Sequence, residues 1–233
     1  LPFELTPGQR RVITEIDNDL SGSLPMVRLL QGEVGSGKTM VATCAMLQAI
    51  DAGSPAALLA PTEVLASQHA ASIGTSVPEG VKVVLLTGSM RTAEKRQALL
   101  DIVSGEANIV IGTHAIIQES VEFFDLGLVI VDEQHRFGVE QRDSLRSKTR
   151  EGISPHVLVM TATPIPRTIA MTIFGDLAVS TLAELPAAAA FLAALALSVS
   201  YSEMWPSRLA DGLPGVGSYL QLIAPTLKPA ALL

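Results

Sequence analysis

Short apolar runs alternate with longer stretches of helical periodicity over the first 186 residues. Met26–Leu30, Ala56–Leu59, Lys82–Leu86, Asn108–Ile111, Leu126–Val131 and His156–Met160 predict strands. Several are nearly continuous in Val, Ile and Leu, as expected when both faces of a strand are covered. Between them, Lys38–Ala52, Glu63–Ile73 and Thr92–Val103 have helical length and spacing. Strand and helix in alternation predict an α/β domain with a parallel sheet, helices on both faces and right-handed crossovers. Functional loops of such a sheet gather at the carboxyl ends of its strands. No internal repeat interrupts the pattern.

The pattern changes near Pro186. Positions 187–233 hold only Glu203, Arg208, Asp211 and Lys228, while the first 186 hold the remaining charges. Two parts are therefore expected, a domain over 1–186 and an apolar, Gly- and Pro-containing tail over 187–233. Leu185–Ser202 just reaches the length of a membrane span, but its alanines and Ser198, Ser200 and Ser202 argue against one. A helix packed on the sheet is a better reading. Better still is a segment unrelated to the first part, from a shortened or frame-shifted gene. Pro206–Leu233 is expected to be loop.

Composition adds limits. Apolar residues make up 48% and charged ones 17%, as in a soluble α/β protein. The single cysteine, Cys44, cannot form an internal disulfide, which suits a reducing compartment. Without the residue order of a signal peptide, a cytoplasmic location is the expectation. The net charge of −7 argues against a generally basic nucleic-acid surface. Two local basic groups, Arg91, Lys95 and Arg96, then Arg142, Arg146, Lys148 and Arg150, read on pattern alone as solvated helix faces. Charge leaves the partner undecided.

The strongest chemical signal is Gly32-Glu33-Val34-Gly35-Ser36-Gly37-Lys38-Thr39, a complete G-x-x-x-x-G-K-[ST] motif between a strand and a helix. Glycines let such a loop curl until successive backbone N–H groups point inward at phosphate oxygens, beside the positive end of the following helix. Lys38 can then reach the β- and γ-phosphates of ATP, and Thr39 can ligate Mg²⁺. A second signal is Asp132-Glu133-Gln134-His135, leaving the run Leu128–Val131. Adjacent carboxylates at the end of a buried strand are costly unless they meet a metal or a reacting group. Beside a phosphate loop, Asp132 would hold Mg²⁺ through water and Glu133 would polarise the attacking water. A third is Thr161-Ala162-Thr163, whose two hydroxyls share one side of an extended segment. They could bond His135 or the γ-phosphate network; alone, they would be an ordinary strand-end turn.

The order and spacing of these elements resemble the first RecA-like motor domain of superfamily-2 helicases, and within them the RecG family of ATP-dependent DNA helicases. The resemblance runs through Pro2–Gln9, Gly32–Thr39, Ala60–His69, Thr87-Gly88-Ser89, Ile111–Gln118, Asp132–Val139 and Met160–Thr168. The transcription-repair coupling factor family shares the last of these, but usually has another residue where His135 stands. The resemblance implies a RecA-like, P-loop NTPase fold over about residues 1–186 and a role in DNA recombination and repair. It implies that Gln9 reads the adenine edge with Phe3 nearby, and that Gly32, Gly35, Ser36, Gly37, Lys38 and Thr39 hold the triphosphate. His135, Thr161 and Thr163 would couple nucleotide state to DNA. Pro61, Thr62, Gly88, Ser89, Gly112 and Thr113 would touch the phosphates of a single DNA strand, independently of sequence and with little need of positive charge.

Two family parts are missing from this reading. One is a wedge domain before the motor. The other is a second RecA-like domain that supplies an arginine to the γ-phosphate. A truncated motor half with little unwinding activity of its own is therefore expected. A nucleotide-binding module without turnover and a membrane-associated protein with a degenerate ATPase head are the alternatives. Cys44 reads as a small core residue. His69, His114 and His156 lack the spacing of a zinc site.

Overall fold

The structure, a computed structural model, describes residues 4–118, 121–132, 154–163 and 177–183. Phe3, Glu133, His135, Arg142–Arg150, Pro164–Thr168 and the tail lie outside the described residues. Chain contacts divide the protein into Leu1–Pro186 and Ala187–Leu233, and every described residue belongs to the first unit.

That unit opens with α1 (Pro7–Leu20) and continues through β1 (Val27–Gly32), α2 (Lys38–Asp51), β2 (Ala56–Leu59), α3 (Glu63–Gly74), β3 (Val83–Leu86) and α4 (Thr92–Ser104). Then come β4 (Ile109–Gly112), a 3-10 turn (His114–Ile117), β5 (Leu128–Asp132), β6 (His156–Thr161) and β7 (Ala178–Leu182). The strands form one sheet in the order β3-β4-β2-β5-β6-β1-β7. Every pair in it is parallel.

Alternation along the strands builds two apolar layers. Leu30, Ala56, Leu58, Ile109, Ile111, Leu128, Ile130, Leu158 and Met160 face one side, where Val12 and Ile16 of α1, Val41 and Met46 of α2, and Ala66 and Ile73 of α3 cover them. Leu29, Ala57, Leu59, Val110, Val129, Val131, Val157 and Val159 face the other, against Ala98 and Ile102 of α4 and Phe123 and Leu126 of the loop before β5. Burial on both faces is why these strands read as continuous apolar runs. It is also what an α/β sheet wrapped on both sides requires.

Two elements escaped the sequence reading. α1 starts at a capping box, in which Thr6 Oγ accepts from Gln9 N while Gln9 Oε1 accepts from Thr6 N. Pro7 occupies the first helical turn, where its missing N–H costs nothing. β7 is an edge strand of mixed character, with Ser180 buried and Thr181 exposed, so it has no apolar run. Arg28 of β1 ties these late additions together. Its guanidinium, largely buried, meets Glu15 and Asp19 of α1 at 3.2 and 2.8 Å and Ser180 of β7 at 2.6 Å.

Candidate functional site

Because all the strands are parallel, each sends its following loop to the same rim. β1 delivers Gly32–Lys38, β2 delivers Pro61 and Thr62, β3 delivers Gly88 and Ser89, and β4 delivers Gly112 and Thr113. β5 ends at Asp132, and β6 leads into Thr161–Thr163. The sheet order sorts them. Gly88 and Ser89, Thr113 and Thr62 lie over the neighbouring strands β3, β4 and β2, while Asp132, Thr161 and the phosphate loop lie over β5, β6 and β1. The residues assigned to DNA and those assigned to nucleotide thus occupy separate halves of one rim, meeting between β2 and β5.

The phosphate loop is curled as its sequence requires. Gly35 and Gly37 have φ of 84° and 86°, a left-handed conformation that glycine adopts without strain. Gly32 is needed for closeness instead, because a Cβ there would sit 2.6 Å from Ser36 Oγ. Lys38 Nζ folds back to donate to the carbonyls of Gly32 at 2.7 Å and Glu33 at 3.0 Å. Thr39 follows in the first turn of α2, half-buried. The hydroxyl of Ser36 is buried without a hydrogen-bond partner among the described residues, which costs about 1–3 kcal/mol where nothing completes it. A glycine-curled loop with an orphaned hydroxyl and a cation at its mouth fits a polyphosphate.

Gln9 supports this loop from beneath. It is 3% exposed, and its Nε2 donates to the carbonyl of Ser36 at 2.9 Å. The residue expected at the adenine edge thus braces the loop and caps α1 with one amide group.

Asp132 lies two strand spacings from the loop, about 10 Å by ordinary sheet geometry. Leu128, Ile130 and Asp132 point to the face covered by α1–α3, since Val129 and Val131 point to the other. There its Oδ2 meets Nε2 of His69 at 2.7 Å, with both side chains largely buried. Beside it, Thr161 Oγ1 lies 3.0 Å from Thr163 Oγ1 and accepts from Thr163 N at 3.1 Å, so the two threonines close a turn on each other. Among the described residues, no three His, Cys, Asp or Glu side chains gather as a metal cage.

In the other half of the rim, Thr62 caps α3 by accepting from Leu65 N at 3.3 Å. The amides of Gly88 and Ser89 converge on Glu63 Oε1 at 2.9 and 3.2 Å, and the Ser89 hydroxyl donates to Glu63 Oε2. The Ser89 hydroxyl holds the Glu63 carboxyl below its ordinary range; desolvation opposes it, and the two amides add smaller lowering effects. An anion already sits where a DNA phosphate is expected. Gly112 has a packing role as well, since a Cβ there would lie 1.9 Å from the carbonyl oxygen of Leu86 on β3. Arg91, exposed, stands at the N-terminal boundary of α4, two residues beyond Ser89, without a side-chain capping bond. Away from the rim, Cys44 lies within α2, where burial pushes its thiol up.

Fold and rim together define a P-loop α/β domain, with the phosphate-loop motif at one end of a parallel sheet. The chain belongs to the DEAD/DEAH box helicase family, whose model matches residues 6–172. Within that family it is similar to ATP-dependent DNA helicase RecG of Mycobacterium leprae, with 60% identity over 198 residues, covering 80% of this chain and 27% of the relative. RecG of Mycobacterium bovis is 54% identical over 220 residues, covering 89% of this chain and 30% of the relative. The chain therefore spans under a third of the length of these relatives. Among solved structures, RecG bound to a three-way DNA junction superposes with a TM-score of 0.70 at 36% identity, covering 97% of this chain and 32% of that one. A DEAD box protein from Methanococcus jannaschii shares the fold, with a TM-score of 0.52 at 21% identity over 75% of this chain and 48% of that one. Among the described residues, no helix is long and apolar enough to cross a membrane.

Proposed function

We propose that this chain is the ATP-binding motor domain of a RecG-like ATP-dependent DNA helicase acting in DNA recombination and repair. The observation that carries the reading is the curled Gly32–Thr39 loop, with its orphaned Ser36 hydroxyl, on the same rim as Asp132. Lys38 now donates to the loop carbonyls of Gly32 and Glu33. With ATP bound it would exchange them for the β- and γ-phosphates, a stronger, charge-assisted contact. Thr39 and Asp132 would hold Mg²⁺, which supplies charge neutralisation of the phosphates when bound. Glu133, next along the chain, would orient the attacking water, with His135 and the Thr161–Thr163 turn sensing the γ-phosphate.

Single-stranded DNA would lie along the other half of the rim, its phosphates near Thr62, Ser89 and Thr113. Contacts of that kind discriminate little between sequences. Turnover on this reading requires a second RecA-like domain as partner, contributing an arginine to the γ-phosphate. The resemblance to RecG and the membership of the helicase family both support it.

The test is titration of a fluorescent ATP analogue into wild type and Lys38→Ala. Loss of a charge-assisted contact worth roughly 1.5–3 kcal/mol should weaken binding about ten- to a hundredfold. Equal affinities would sink the assignment.

A further inference from the structure

His69 lies on the apolar face of α3, between Ala66 and Ile73, which pack into the core. A polar side chain on that stripe must find a partner. It finds Asp132, which alternation turns to the same face, at 2.7 Å from Nε2 to Oδ2. The side chains of His69 and Asp132 are 14% and 16% exposed, so water competes weakly for the bond.

The contact crosses the boundary between the two halves of the rim. α3 grows out of the β2 loop, and its N-terminal turn carries Thr62 and Glu63, the latter clamped to Gly88 and Ser89. Two helical turns later the same rigid element touches the carboxylate at the end of β5. Fixing Oδ2 leaves Oδ1 as the oxygen available to a metal and sets its direction. Carboxylate ligands of metal sites are commonly held in this way by a second group.

We infer that His69 is a positioning residue for Asp132: it donates a hydrogen bond from Nε2 that sets the carboxylate for Mg²⁺, and through α3 it joins the DNA-facing loops to the metal ligand. This inference rests on the nucleotide site proposed above and adds to it a residue outside the phosphate loop and the acidic box.

The experiment measures how much Mg²⁺ is needed for binding of a fluorescent ATP analogue by the full 233-residue chain. Wild type is compared with His69→Ala, which removes the donor, and His69→Gln, whose amide can donate to Asp132 in its place. The half-saturating Mg²⁺ concentration should rise about tenfold in His69→Ala and return to within about threefold of wild type in His69→Gln, while Mg²⁺-free binding stays equal in all three. Nitrogen-15 correlation spectra of the histidine rings give a second reading that needs no nucleotide. The His69 signal, identified by its loss in His69→Ala, should show the proton on Nε2.

An unchanged Mg²⁺ requirement in a natively folded His69→Ala overturns the inference. So does an equal rise in both variants, which would make the role one of packing, or a bare Nε2. These failures leave the nucleotide site standing. Absence of nucleotide binding by wild type overturns that site and this assignment with it.

Discussion

Replacing Gln9 with Ala separates two jobs for one residue, reading adenine and bracing the phosphate loop. In the structure the side chain accepts from Thr6 N and donates to the carbonyl of Ser36 at 2.9 Å, at 3% exposure. The Ala variant loses two neutral hydrogen bonds, each worth about 1 kcal/mol, and strands a buried carbonyl, for a total of roughly 2–4 kcal/mol. For a domain of this size that corresponds to a fall in melting temperature of about 5–15 °C, with no ligand present. The loop it supports should then bind ATP and inorganic tripolyphosphate less well by a similar factor, because the damage is to the phosphate cradle and not to the base. Gln9→Glu should do as badly, since it keeps the acceptor toward Thr6 but turns a carboxylate oxygen toward the Ser36 carbonyl. The assay is thermal melting of the ligand-free proteins, with competition of the two ligands against a fluorescent nucleotide. An unchanged melting temperature with a loss confined to ATP would refute the bracing argument and return Gln9 to the adenine edge.

Three further outcomes are expected. Glu63→Gln removes the charge occupying the Gly88–Ser89 amides, so single-stranded DNA should bind about three- to tenfold more tightly at low salt, with the gain shrinking as salt is raised. Weaker binding in a fluorescence anisotropy titration would show instead that the carboxylate organises the site. Gly112→Ala drives a Cβ to 1.9 Å from the Leu86 carbonyl and must part β3 from β4, costing about 2–4 kcal/mol in chemical denaturation. A variant as stable as wild type would contradict that packing role. His156 accepts from Met26 N through Nδ1, and burial holds its pKa below its usual 6.5, against a smaller opposite effect of Asp19. The unfolded chain therefore takes up the proton first, so this stability is complete above pH 6.5 and is lost as pH falls through the lower, folded value. Denaturation at pH 7.5 and 5.5 should show a smaller loss in His156→Asn than in wild type, and equal losses would rule out the histidine as the source.

What the sequence made legible was local. A strand buried on both faces must be apolar throughout, so Ala56–Leu59 and Leu128–Val131 stood out without knowledge of their neighbours. The phosphate loop was legible because curling demands glycines at fixed offsets, and Gly35 and Gly37 meet that demand at positive φ. β7 was not legible, because an edge strand carrying Ser180 and Thr181 lacks an apolar run. α1 carries a readable signal in Thr6-Pro7 followed by Gln9, a capping-box start, and the same residues also fall within the helicase motif Pro2–Gln9. The pairings that shape the site were hidden for another reason. His69 meets Asp132 only because β5, far along the chain, pairs with β2, and Glu63 reaches Ser89 across β4, which the sheet inserts between β2 and β3. A histidine on a helix's buried stripe was a clue that some partner existed. Naming Asp132 required knowing that β5 lies beside β2.

That adjacency also limits how the two halves of the rim can communicate. β2 and β5 pair over Ala56–Leu59 and Leu128–Val131, eight buried residues in an unbroken parallel ladder, with apolar layers above and below. Close-packed interiors transmit displacement with little give, so the strands cannot hinge against each other at modest cost. On the proposed reading, and among the described residues, a change at Thr62, Ser89 or Thr113 would reach the nucleotide side through side chains at the rim or by tilting of a helix on the sheet. α3 offers both routes, since its first turn carries Thr62 and Glu63 and its core-facing stripe carries His69. A small rotation of α3 about its axis would shift the His69 Nε2 donor relative to Asp132 while leaving the ladder intact. Coupling of this kind needs a stiff sheet and a polar contact across the divide, and β2 with β5 supplies the first and His69 with Asp132 the second.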